Sequence, residues 1–480
     1  MRTLTHAAPK TAFPRPPTHT SVPSLLTALQ NEYDAVMLEM LSLKKQYDSL
    51  RQDLAHALYT NDASTRVIAR LMKERDEARE ALASVHNTLG TEPAAANGPG
   101  GPDVDMAPPA PEAPAAALPA DVAADVDALA ARLSGERRAK TKRAAPQGYT
   151  TPATASSLGE AHVVPSLHNA SSPGLTCLAV SANGQLAASG GNDKNVVVYD
   201  RASGKVLATL RGHTKRVTSV AFSGVANPAL GADAETAPAP TFLVSGSEDG
   251  TVRVWRLQES GSYALAHVLK GFRAGVTGVA VHPNDALVGS ASRDGSWALH
   301  ALESGERIVH VAAGAPDEGG YAYESFAFHP DGQLAATGTG EGAIRVWDVK
   351  QGLQSAVFRG HEGAVHTLDF SQNGYLLVAG SRGSSEVKVW DLRKLAVTRV
   401  VRASEETQPD AVQGVRIDPT AQLLAVVGLD VKVFTGKAWD HAYTYDGNAG
   451  TVTDAQWSPV DGALLLSGLD RTLRVLRTQG

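Results

Sequence analysis

Three groups of side chains along this sequence have the types that chemistry uses. His213, Ser245 and Asp249 supply an imidazole, a hydroxyl and a carboxylate, the composition of a nucleophilic triad, with Trp255 close behind. A triad also needs donors for an oxyanion, and nothing beside Ser245 offers that context. His361 and His366 in HEGAVH approach a metalloprotease HExxH, but the spacing is one residue too long and the segment reads as a turn entering a strand. Gly338, Gly340 and Gly342 in TGTGEGA precede a strand where a hairpin turn is expected, unlike a phosphate-binding loop. No nucleotide, metal or catalytic site is read from the chain, and no cofactor is expected.

The elements that must hold these residues repeat. From about Gly159 onward a unit recurs at the period of propeller blades: a strand, a second strand ending in a small residue, a tight turn, and a third strand ending in an aromatic. LRGHTKRVTSVAFS, an insertion and TFLVSGSEDGTVRVWRL show it best, and seven such units follow one another. Strand alternation with Asp-Gly and Asn-Gly turns predicts four-stranded antiparallel blades. The last unit ends almost at Gly480 without an outer strand, so Glu160 to Leu167 (EAHVVPSL) is expected to complete the seventh blade and close the ring.

Composition narrows the classes. The chain has 480 residues, 43% of them hydrophobic, enough for a large core. A net charge of −6 gives no overall pull toward nucleic acid or anionic membrane, and direct RNA contact is left open. The single cysteine, Cys177, lies in an apolar run and reads as a buried small side chain, which excludes an internal disulfide framework and fits a reducing compartment. No apolar run approaches the roughly 20 residues that span a bilayer, so no membrane partner is expected.

Ahead of the repeats lies a different pattern. From Leu26 to Val85 the apolar positions alternate at spacings of three and four, through Leu29, Tyr33, Val36, Met40, Leu43, Tyr47, Leu50, Leu54, Ile68 and Leu71. A period of 3.5 held this long is a coiled-coil seam, and such a helix needs another chain to cover it. Asn61, Ser64 and Arg75 interrupt the stripe. The organisation expected is therefore an N-terminal segment at 1–22, a coiled-coil helix at 23–89, a disordered Ala/Pro/Gly-rich linker at 90–158 and a propeller at 159–480. The linker carries a short helical patch, Val122, Val126, Leu129 and Leu133, then a basic cluster, Arg137, Arg138, Lys140, Lys142 and Arg143, that suits a nuclear import signal. Lys215, Arg216 and Arg273 in the blade-entrance loops are candidate contacts for an acidic partner.

The second repeat unit resembles the WD40 repeat family, in which an entrance His, a Ser or Thr on the second strand, an Asp in the following turn and a Trp on the third strand form a hydrogen-bond tetrad. The resemblance assigns those places to His213, Ser245, Asp249 and Trp255, a structural set that argues against the nucleophilic triad. Other units depart from the pattern. Unit one keeps Ser189 and Asp193 with Tyr199 for Trp, unit three has Phe272 for the His and His300 at the Trp position, and unit five keeps His361 and Trp390 with Ala379 for Ser. Dependence on the tetrad is expected to concentrate in blade two.

The coil is more specific. LLTALQNEYDAVMLE, LRQDLAHALYTNDAS and RVIARLMKERDEAREAL closely resemble the pre-mRNA-processing factor 19 family, and with the propeller the resemblance covers nearly everything after residue 12. It implies a nuclear scaffold of the nineteen complex that acts in splicing and DNA repair. It also implies a homotetrameric coil that docks partners including a Myb-like splicing factor. The family's U-box, which recruits a ubiquitin-charged E2 and makes its members E3 ligases, would precede FPRPPTHTSVP, where the sequence has 12 unrelated residues. Missing first exons or an isoform without ligase activity would explain this, and the abrupt resumption of the resemblance favours the first. E2 is thus a partner only of a form that carries a U-box. A non-enzymatic adaptor such as a Groucho-like corepressor or an autophagy scaffold is the rival, and RVIARLMKERDEAREAL separates it from this family.

Overall fold

The computed structural model describes residues 118–140, 148–169, 174–224, 239–312, 321–404, 412–436 and 438–479. The expected coiled coil at 23–89, with its seam, lies outside the described residues. Seven four-stranded antiparallel sheets make up the propeller. Blade 1 contains β2 (Leu175–Val180), β3 (Leu186–Gly191), β4 (Val196–Asp200) and β5 (Lys205–Leu210), and blade 2 contains β6 (Val217–Phe222), β7 (Phe242–Ser247), β8 (Val252–Leu257) and β9 (Tyr263–Leu269). Blade 3 follows with β10 (Val276–Val281), β11 (Leu287–Ser292), β12 (Trp297–Ala301) and β13 (Arg307–Val311). Blade 4 has β14 (Tyr323–Phe328), β15 (Leu334–Thr339), β16 (Ala343–Asp348) and β17 (Gln354–Arg359). Blade 5 has β18 (Val365–Phe370), β19 (Leu376–Ser381), β20 (Glu386–Asp391) and β21 (Ala396–Arg402). Blade 6 has β22 (Gly414–Ile417), β23 (Leu423–Val427), β24 (Val431–Thr435) and β25 (Asp440–Tyr445). Blade 7 combines β26 (Val452–Trp457), β27 (Leu464–Gly468) and β28 (Leu473–Thr478) with β1 (Leu158–Val164), which pairs antiparallel with β28. The closing strand thus starts two residues before the expected Glu160 and ends at Val164.

Apolar residues on both faces of these strands give seven buried clusters, each bridging one pair of neighbouring blades. Hydroxyls on the innermost strands stitch the same interfaces. Thr176 donates to the Val217 carbonyl at 2.6 Å, Thr218 to Val276 at 2.7 Å, Thr277 to Tyr323 at 2.9 Å, Ser325 to Val365 at 2.9 Å and Thr453 to Leu175 at 2.9 Å. Between blades 5 and 6 the Val415 amide donates to Thr367 at 3.1 Å, and between blades 6 and 7 an ion pair, Arg416–Asp454 at 2.9 Å, takes the place of a hydroxyl. Gly250, at φ 77°, makes the tight turn after Asp249, where a side chain would press on the Phe272 and Ala274 carbonyls.

The linker expected at 90–158 carries the helical patch read at Val122 to Leu133, and the structure orders that patch against the propeller instead of leaving it in a disordered stretch. Helix α1 (Ala120–Lys140) follows Leu118, whose amide donates to the Lys350 carbonyl at 2.9 Å, and Asp127 pairs with Lys350 at 2.7 Å. Leu118 and Val126 join the apolar cluster of blades 3 and 4, and Leu133 is buried as well. Burial of Leu118, Val126 and Leu133, each worth about 1.5–3 kcal/mol, favours docking this stretch on the propeller. Further along, Tyr149 and Thr150 are buried, packing at Gly462 in the β26–β27 turn. Among the described residues no helix is long and apolar enough to cross a membrane.

Candidate functional site

The β2-to-β3 type of hairpin in each blade opens on one face of the ring, called lower here, and the hairpin between second and third strands opens on the upper face. On the upper face of blade 2 the four residues singled out in the sequence meet. His213 Nδ1 lies 3.1 Å from Asp249, His213 Nε2 lies 2.9 Å from Ser245 Oγ, and Trp255 Nε1 donates to the same hydroxyl at 3.0 Å. A carboxylate only accepts, so the His213 proton sits on Nδ1 and the hydroxyl donates to Nε2 while accepting from the indole. Burial would raise the Asp249 carboxyl, but hydrogen bonds from Thr251, the Thr214 amide and His213 outweigh it and bring it down to about 2. Burial lowers the His213 imidazole against the pull of Asp249. With its hydroxyl saturated by Trp255 and His213, Ser245 has no free approach for a substrate carbonyl.

Blade 1 has the same arrangement, and the sequence reading missed its histidine. His168 Nδ1 is 2.8 Å from Asp193 and His168 Nε2 is 2.9 Å from Ser189, so the network is not concentrated in blade 2 alone. Tyr199 turns away to a contact with His162 at 3.2 Å. His213 stands four residues before its strand and His168 seven before its own, beyond Pro173-Gly174, so a fixed spacing passes over it. In blade 4, Trp347 Nε1 donates to Thr337 at 2.9 Å. Blade 5 is incomplete. His361 and Trp390 lie side by side with ring centroids 6.2 Å apart, and both His361 nitrogens and the Trp390 N–H are buried without a partner. Burial, aided by the charge of Lys388, pushes the His361 imidazole down to about 4.

At the centre of the ring a channel cavity of about 280 Å³ is lined by the ends of the innermost strands. Its wall is uneven. The matching inner-strand position is Ala179, Ala221, Ala280 and Ala327 in blades 1 to 4 but Asp369, Arg416 and Gln456 in blades 5 to 7. Asp369 accepts from the Ile417 amide at 2.8 Å and Asp454 from the Leu178 amide at 3.2 Å, so the charged arc ties blades 5, 6, 7 and 1 together. Burial raises the Asp369 carboxyl to about 6 despite nearby Arg416. Sequence reasoning missed this arc, because alternating polar residues in a strand read as solvent-facing.

The other candidates fall apart as chemistry. His361 is buried without a side-chain partner, His366 is half-buried against the Ala364 and Val412 backbone, and no group of three or more His, Cys, Asp or Glu among the described residues is placed to hold a metal. Gly338 lies within β15, and Gly340 and Gly342 form its turn into β16. Burial, with the nearby Asp454 charge, pushes the Cys177 thiol up to about 12, leaving it unreactive at neutral pH. On the upper face Lys215 and Arg273 are exposed, whereas Arg216 pairs with Glu248 at 2.6 Å, and Arg293 joins Glu248 to Glu324. Arg137, Arg138 and Lys140 fall in the last turns of α1, and Lys142 and Arg143 lie outside the described residues.

Residues 18–85 match the Prp19/Pso4-like family model. Six segments between residues 163 and 391 match the WD domain, G-beta repeat. Those matches stop before blades 6 and 7, whose turns are short and whose third strands lack the Trp. The chain is 34% identical to pre-mRNA-processing factor 19 homolog 2 of Arabidopsis thaliana, over 96% of this chain and 85% of the relative. It is 34% identical to pre-mRNA-processing factor 19 of Oryza sativa subsp. japonica, over 98% of this chain and 87% of the relative. It is 33% identical to pre-mRNA-processing factor 19 of Homo sapiens, over 96% of this chain and 87% of the relative. A seven-bladed WD40 propeller behind a Prp19/Pso4-like segment, collinear with these relatives over nearly its whole length, makes the chain a member of the pre-mRNA-processing factor 19 family.

Proposed function

We propose that the chain is a scaffold subunit acting in pre-mRNA splicing in the nucleus, with its propeller as a partner-binding platform. The observation that carries this is the collinear similarity to relatives named pre-mRNA-processing factor 19 over nearly the whole chain, from the segment at 18–85 through the propeller. Within the proposal, residues 23–89 form a homotetrameric coil through the seam that includes Leu43 and Leu50. The partners are nineteen-complex proteins, among them a Myb-like splicing factor. Four propellers on one particle raise effective concentration for several weak contacts at once. The basic cluster at 137–143 serves nuclear import, and Lys215, Arg216 and Arg273 contribute to partner binding on the upper face. The His-Ser-Asp-Trp set of blade 2 is structural. DNA repair belongs to the same proposal, as does ubiquitin-ligase activity in a form that carries a U-box to recruit E2.

Rapid depletion of the endogenous protein is expected to cause intron retention across many transcripts, restored by re-expression of the chain. Unchanged splicing after depletion would overturn the proposal. Retained nuclear-complex pulldown after charge reversal at Arg216 and Arg273 would remove those two from the binding surface.

A further inference from the structure

The outermost strand of blade 5, β21, differs from the other outer strands. It is exposed on both faces from Ala396 to Val400, whereas β5, β17 and β25 are each partly covered within their length. Leu395, Val397 and Val400 are 61%, 39% and 46% exposed. A bulge at Thr398 sets the register, so that Val397 lies opposite Trp390, Val400 opposite Lys388 and Arg402 opposite Glu386 on one face. Arg399 lies opposite Val389 on the other.

The charge around this strand is one-sided. Asp391 holds Arg393 at 3.2 Å, and Glu386 is shared by Arg402 at 3.3 Å and Lys388 at 3.9 Å. Lys394 and Arg399 hold no ion pair among the described residues. Positive residues on a free edge ordinarily keep it from pairing with another strand. Three exposed apolar side chains beside them work the other way, since they reward burial. Together the two features select rather than forbid: a second copy of this cationic strand is repelled, while an extended segment with carboxylates on one face and apolar residues on the other satisfies edge amides, Arg399 and the valines at once, with Arg402 adding attraction at the end of the strand.

We propose that the edge of β21, unpaired among the described residues, takes up an extended acidic and apolar segment of a partner protein as a fifth strand of blade 5. The affinity would come from main-chain hydrogen bonds along the edge and the selectivity from Arg399 and Arg402. Nothing in this depends on the splicing role.

The test uses the full chain and a labelled peptide of about ten residues, long enough for the whole strand, alternating Glu and Val. Expected results are saturable binding, slowed amide exchange confined to 393–402, and affinity lowered at least about tenfold in an Arg399→Glu, Arg402→Glu variant. That variant should instead bind the matching Lys–Val peptide. The proposal is overturned by equal binding of both peptides to the native chain, by undiminished binding to the variant, or by protection elsewhere. No binding up to about 1 mM, or self-pairing through β21 without peptide, overturns it as well.

Discussion

Blades 2 and 5 have the same strand order, the same entrance histidine and the same third-strand tryptophan, and they differ by a hydroxyl on the second strand and a carboxylate in the turn after it. In blade 2 the Ser245 hydroxyl accepts from Trp255 and serves His213, which is held in turn by Asp249. In blade 5 that position is Ala379, the turn carries no aspartate, and His361 and Trp390 are buried with nothing to bond. The fold tolerates the gap because apolar packing between blades 4, 5 and 6 does most of the holding, through the clusters containing Phe358, Leu377 and Val415. A hydroxyl hub is therefore not what makes a blade. Its absence is expected to make a blade yield earlier.

Acid should expose that order with the largest effect. Burial, each time with a nearby positive charge, pushes His361, His366 and His300 down to about 4. All three lack side-chain partners. Their unfolded forms take up protons near pH 6.5, so the unfolded state binds more protons in the window between 6.5 and 4, and stability falls as pH falls through it. Asp369, raised by burial to about 6, opposes this between pH 6 and 3.8, where its folded form is the better proton binder. The net expectation is a loss of roughly 5 kcal/mol from pH 7 to pH 4. Denaturant midpoints would follow it, with hydrogen exchange rising first in blades 3 and 5. A stability flat over that range would contradict the assignment.

Removing the hub from blade 2 comes next. Ser245→Ala leaves the His213 Nε2 and the Trp255 N–H buried and unpaired and should cost about 3 kcal/mol in urea denaturation. A loss below about 1 kcal/mol would mean that water or repacking satisfies both groups. The smallest effect is the converse. Ala379→Ser sets a hydroxyl between His361 and Trp390 and should stabilise by about 1 kcal/mol, moving the His361 titration upward by NMR. No gain would show that the two rings are too far apart for one oxygen to bridge.

Most of the propeller could be read from the repeat itself. Seven units, Asp-Gly turns and a missing outer strand are enough to expect seven closed blades, and β1 pairs with β28 as that logic requires. Three features escaped for physical reasons. His168 enters through a longer loop than His213, so its distance from the strand carries no signal. The helical patch at Val122 to Leu133 is legible, but the docking of α1 is not, because it depends on a seat made by Lys350 and the cluster of blades 3 and 4, which only the fold assembles. The charged arc of Asp369, Arg416 and Asp454 comes from three blades, and no single repeat reveals that the ring brings them to one channel. Local pattern names elements, whereas contacts between elements distant in sequence place the charges.

The proposed role as an assembled scaffold in splicing stands or falls with one replacement. The Leu43→Asp, Leu50→Asp chain, expressed in cells depleted of the endogenous protein, puts two unpaired charges into the seam. It is expected to keep a folded propeller, to sediment as a single 50.1 kDa chain where the native protein is expected at four times that mass, and to leave introns retained. A variant that is monomeric yet restores splicing fully, or a native chain that is itself monomeric, would contradict it.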